Sequence, residues 1–146
     1  MRSPYLTHFF AALLLGLVGC IPETDYPELD TDSGDAVVLE GSITQDDTLR
    51  FENTYLLRGF VKVEDGATLH IEPGTVIKGE QSTKGSLIIK RGGRILAQGT
   101  QDAPIVFTSA QPVGSRRSGD WGGVIVLGRA PINEPGGESV IEGGVN

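Results

Sequence analysis

A self-similarity at a spacing of 26 residues limits what this chain can fold into. Shifted by that amount, "VKVEDGATLHIEPGT" (61–75) lies over "LIIKRGGRILAQGTQ" (87–101). Val61 meets Leu87, Val63 meets Ile89, Gly66 meets Gly92, Leu69 meets Ile95 and Ile71 meets Ala97. Each segment alternates apolar and polar residues, breaks at a glycine, alternates again and ends at Gly or Pro. That is the pattern of short strands joined by tight turns. "TVIKG" (75–79) and "PIVFTS" (104–109) add a third short strand to each copy, and "WGGVIVLGRAPI" (121–132) opens a third copy after an excursion at 110–120. "SVIEGGV" (139–145) continues it. A period in the twenties with three strands per copy signals a solenoid.

Physical reasoning favours parallel stacking of the copies. One row of alternate apolar residues is too small to bury itself. Coiled above one another at the strand spacing of about 4.8 Å, the rows become ladders. Fully burying one such side chain stabilises by roughly 1.5–3 kcal/mol. Gly66 and Gly92 fall at the same corner, where a tight bend is wanted. The register also sets Glu64-Asp65 against Lys90-Arg91, opposite charges on successive coils. The expected fold is all-β: a right-handed parallel β-helix, incomplete, after an N-terminal signal and a disordered tether.

"DGATLHIEPGTVIKG", "RGGRILAQGTQDAPIVFTS", "GDWGGVIVLGRAPIN" and "IEGG" resemble the opening of a family of secreted β-helical lipoproteins of Gram-negative bacteria, notably myxobacteria and Bacteroidetes-type groups. The likeness covers about Asn53 to Gly144. It implies a right-handed parallel β-helix at the cell surface and no particular activity. Members of that family continue with further coils after "IEGG". The chain stops at Asn146, so the expectation is a truncated product that ends within the solenoid.

The first residues read as an export signal. Arg2 supplies a positive start, and Phe9 to Val18 is an apolar run too short to span a bilayer comfortably. It ends in Leu17-Val18-Gly19-Cys20, which resembles the lipobox of bacterial lipoproteins. There the thiol takes the diacylglyceryl group, further acylation adds a chain such as palmitate, and small residues before it admit the peptidase. Cys20 is the expected lipid-attachment site, and as the only cysteine it cannot form a disulfide within the chain. At about 0.8 kcal/mol per buried methylene, several acyl chains would hold the protein essentially permanently. Ile21 rather than Asp after the cysteine favours the outer membrane, by resemblance to enterobacterial sorting.

Three segments follow: a lipoprotein signal peptide at 1–19, an acidic disordered tether at 20–36, and a partial parallel β-helix at 37–146. Between Cys20 and Asn53 ten acids face one base, whereas from Thr54 onward nine acids face ten bases. The acidity thus belongs to the leading part of the chain. As a flexible chain, residues 21–35 would span roughly 20 Å. "DTDSGD" (30–35) departs from a calcium loop, because Gly34 and Asp35 stand in the reverse of the required order and Gly41 replaces the closing Glu. No basic stripe with interleaved aromatics marks a nucleic-acid partner.

Residue patterns that carry chemistry are sparse. Parallel β-helices include polysaccharide lyases and hydrolases, and glycoside hydrolysis needs two carboxyls about 5–10 Å apart. The register instead stacks acids on bases, and Glu72 on Gln98. Asp120 beside Trp121 is the most suggestive pair, since aromatic faces stack on sugars; the structural alternative has Trp121 covering the core and Asp120 holding a turn. His70, between Leu69 and Ile71, points outward. One histidine after the signal supports neither a zinc site nor a Ser-His-Asp set. "RGG", "WGG" and "PGG" lack the Lys-Ser/Thr of a phosphate loop. "SRR" (115–117) is a local positive spot that could touch anionic lipopolysaccharide, or a solvated loop. No catalytic residue, metal or cofactor is assigned. The expected role is that of a membrane-anchored surface lipoprotein, structural, adhesive or binding, with a surface polysaccharide or protein as partner. The alternatives are a carbohydrate-active enzyme and a non-functional fragment of a longer β-helix.

Overall fold

The computed structural model describes residues 35–140. The apolar run, Cys20 and all but the last residues of the tether lie outside them, as do residues 141–146. Nine strands follow one another: β1 Val37–Ile43, β2 Asp47–Leu49, β3 Thr54–Val63, β4 Thr68–Ile71, β5 Val76–Gly79, β6 Ser86–Ile89, β7 Arg94–Ala97, β8 Val106–Ser109 and β9 Gly123–Val126. Among the described residues every strand pairing is parallel.

The path winds over three faces. The first half of β1, the first half of β3, then β5 and β8 stack on one face. The ends of β1 and β3, then β6 and β9 stack on the next. Strands β2, β4 and β7 form the third. The architecture is a parallel β-helix, as the repeat requires. Val61 lies against Leu87, Val63 against Ile89, Leu69 against Ile95 and Ile71 against Ala97, the partners set by the 26-residue shift.

That shift is local. Val37 lies against Tyr55, 18 residues on, whereas Ser86 lies against Gly123, 37 residues on. The extra residues enter mainly at the corner between the first and second faces. In β1 that corner is Gly41 and in β3 it is Arg58-Gly59, with Gly41 and Gly59 both at positive φ. Between β5 and β6 it becomes residues 80–85, and between β8 and β9 residues 110–122. A single-shift comparison therefore finds the middle coils and misses β1 and β2 as an earlier one.

The core is the stack of inward-facing ladders: Leu49, Tyr55, Leu57, Val61, Val63, Ala67, Leu69, Ile71, Ile77, Leu87 and Ile89 are all buried in one cluster. Alternation correctly leaves His70 exposed. It also places Leu56, Lys78 and Ile88 outward, yet these three are buried. The corner charges are met in part. Lys90 Nζ lies 3.4 Å from Glu64 Oε2. Asp65 does not pair with Arg91: it meets Arg129 at 3.1 Å, and Arg91 meets Glu138 at 2.9 Å. Arg129 and Glu138 both follow β9, beyond the segments that the 26-residue shift compares.

One inward position of the first face has no side chain. Gly79 pairs with Leu57 below and Ser109 above. A Cβ on Gly79 would sit 2.4 Å from Trp121 Cβ, so the indole takes the space the glycine leaves and packs on the core. Gly79→Ala should push out the chain's only tryptophan. Tryptophan emission should shift to the red, and the urea midpoint should fall by the equivalent of about 1–3 kcal/mol. Unchanged emission would show that the indole does not depend on this gap.

Candidate functional site

The corner that lengthens along the axis gathers the polar chemistry. Residues 80–85 turn back on themselves, with the Gly85 amide donating to Glu80 O at 2.8 Å and the Lys84 amide to Gln81 O at 3.1 Å. Gly85 must be a glycine, since a Cβ there would lie 2.1 Å from Leu57 O. The 110–122 loop lies against this turn and returns to it where the Gly122 amide donates to Gly85 O at 3.1 Å.

Asp120 is the centre of the contact, and it is 4% exposed. Its Oδ2 accepts from Ser109 Oγ at 2.7 Å and from the Arg117 amide at 2.9 Å. Its Oδ1 accepts from Gln81 Nε2 at 3.1 Å. The network extends outward: Gln111 Nε2 donates to Gln81 Oε1 at 2.9 Å, the Gln111 amide to Ser109 Oγ at 3.0 Å, and Arg116 Nε to Gln111 O at 3.0 Å. Lys84 Nζ donates to Gly119 O. The Arg117 amide, then the Ser109 hydroxyl, hold the Asp120 carboxyl below the usual carboxylate range; the Lys84 charge and Gln81 add to this against the opposing effect of burial.

Two other carboxyls are lowered for similar reasons. The Thr83 hydroxyl (2.7 Å) and then Arg58 (3.3 Å) hold down Glu80. The Ser42 hydroxyl (2.8 Å), and then Lys90, hold down Glu64. A general acid for glycoside cleavage needs its pKa raised toward neutrality; these three move the other way. They are suited to accepting hydrogen bonds permanently.

The two residues singled out in the sequence are thus brought together, in the structural roles weighed for them: Asp120 ties the loop and Trp121 covers the core. The Asp120 partners Gln81 and Ser109, and Gln111 that bonds to both, were not legible. They lie up to 39 residues from Asp120, and nothing in their spacing marks them. In the "SRR" segment, Arg116 is tied to the loop and Arg117 is exposed. His70 lies apart on the third face, in register with Thr48 and Leu96. These three line a shallow groove with Ile71, Glu72, Pro73 and Gln98. Glu72 turns to the previous coil instead, accepting from the Phe51 amide at 3.1 Å and lying 3.9 Å from Arg50. Among the described residues, no three of His, Cys, Asp and Glu come together as a metal-holding group.

Asp120 should make stability fall in acid. A depressed carboxyl contributes stability that is present above the ordinary Asp pKa of about 4 and is lost as pH falls through its folded value. Asp120→Asn should therefore lower Tm at neutral pH, and the gap to the parent should narrow progressively as pH falls below about 4. A gap of constant size across that range would assign the loss to packing and not to charge.

None of the curated proteins and none of the solved structures compared with this chain is a match. A family model does match residues 41–145, most of the chain, and its description is a pectate-lyase-like β-helix domain. Coils, parallel register and family model agree, and the chain belongs to the pectate-lyase-like β-helix family.

Proposed function

We propose that this protein is a lipid-anchored surface module that holds a polymer or protein on its β-helical faces without cutting it. The supporting observation is the use made of Asp120. Where an acid, an aromatic and the long 110–122 loop converge, both carboxylate oxygens are taken up by the chain's own donors. The cluster serves to lock the loop. The third face offers its shallow groove as an alternative for contact, with His70 and Leu96 side by side and Leu96 48% exposed. A polysaccharide of the cell surface is the proposed ligand.

Anchorage rests on the lipobox-like Leu17-Val18-Gly19-Cys20, with Cys20 as the acylated residue and the outer membrane as destination. With Cys20→Ser, radiolabelled palmitate should no longer enter the chain, and the protein should leave the membrane fraction. Persistence of both label and membrane association would remove the anchor from this reading.

The second reading, a polysaccharide lyase or hydrolase with Asp120 and Trp121 near its site, is favoured by the family's pectate-lyase-like description. The full chain should slow in gels cast with acidic or neutral polysaccharides and release neither unsaturated ends nor reducing sugars. Release of products that ceases with Asp120→Asn would establish the enzyme instead.

A further inference from the structure

The groove on the third face is lined by polar groups that the chain itself does not use. Thr48, His70 and Leu96 stand in register on three successive coils, and all are exposed. Rungs lie about 4.8 Å apart, so this column runs along the solenoid axis, and the groove it lines crosses β2, β4 and β7. Glu72, Pro73 and Gln98 complete the wall. Among the described residues, the Thr48 hydroxyl, the His70 ring and the Gln98 amide make no hydrogen bond or ion pair with the chain. The carboxyls of Glu64, Glu80 and Asp120 differ in this respect, since they are taken up internally.

The lining also limits the charge of what fits. Its carboxylate, Glu72, turns to the previous coil, accepting from the Phe51 amide and lying 3.9 Å from Arg50. No lysine or arginine lines the groove; Arg94, two positions before Leu96 on β7, lies outside it. An anionic group laid there would lose water without meeting either cation. The hydroxyls of a neutral sugar both donate and accept, which matches a hydroxyl, an imidazole and an amide. Its C–H face can cover Leu96 and Pro73, which form the apolar part of the wall. Apolar surface with a few placed polar groups is the usual make-up of a small-ligand site.

Resting on the binding role proposed above, we infer that this groove takes a neutral, linear glycan laid along the solenoid axis, and that acidic glycans are not its ligands. Successive coils present Thr48, His70 and Leu96 to the chain of sugars, with Gln98 beside the last.

The test is calorimetric titration of the full chain in detergent with two neutral polymers, galactomannan and hydroxyethyl cellulose, and two acidic ones, polygalacturonate and alginate. Each is run at about 0.05 M and about 0.5 M salt. A neutral polymer should bind with an affinity that salt changes less than about twofold, and the acidic pair should not bind. Leu96→Asp should weaken the binding about tenfold or more, because the glycan would cover a carboxylate that has no partner. Gln98→Ala should weaken it about threefold or more. Arg94→Gln should leave it unchanged. All three positions are exposed, so each variant should keep the parent's Tm, and that measurement separates lost binding from lost fold. Binding of an acidic polymer that weakens with salt or with Arg94→Gln overturns the inference and leaves the binding role standing. Neutral binding that Leu96→Asp leaves intact also overturns it, and places the ligand on another face. A chain that binds none of the four overturns the inference and the polysaccharide ligand with it.

Discussion

The structure depends on like-facing apolar residues lying directly above one another. A single coil of this chain has a few inward side chains and cannot shield them. Column upon column, Val61 under Leu87 and Leu69 under Ile95, the same residues exclude water on all sides. Register matters throughout, because a slip by one residue would turn an inward row to solvent.

Because the ladders constrain only the strands, length can be added at corners without disturbing them. The molecule does so repeatedly at one corner, from a single glycine in β1 to the thirteen positions 110–122 before β9. Long surface loops are inexpensive in entropy when their ends are already fixed. Their cost is internal order, and here Asp120 supplies it through donors from Gln81, Ser109 and Arg117. A buried carboxylate with its oxygens satisfied is a rigid tie. The same satisfaction makes it a poor proton donor, which connects the architecture to the proposed binding role.

Trp121 shows how the corner and the core are joined. The ladder through Leu57 and Ser109 lacks a side chain at Gly79, and the indole enters from the loop to fill it. The loop is thus held by a polar tie at Asp120 and an apolar one at the next residue. Neighbouring residues with opposite preferences anchor the end of the loop that leads into β9.

The chain's repeat determined the parallel β-helix, the pairing of the middle coils and the outward face of His70, because alternation and glycine spacing are local and survive in one dimension. The sequence also marked Cys20 and the acidic leader as features apart from the repeat. Tertiary structure alone decided that β1 and β2 form an earlier coil, since their offsets differ from the 26-residue shift. It decided that Asp65 meets Arg129 and not Arg91, and it chose the partners of Asp120. Corner insertions change sequence distance without changing spatial register, so contacts across them leave no periodic trace in the chain.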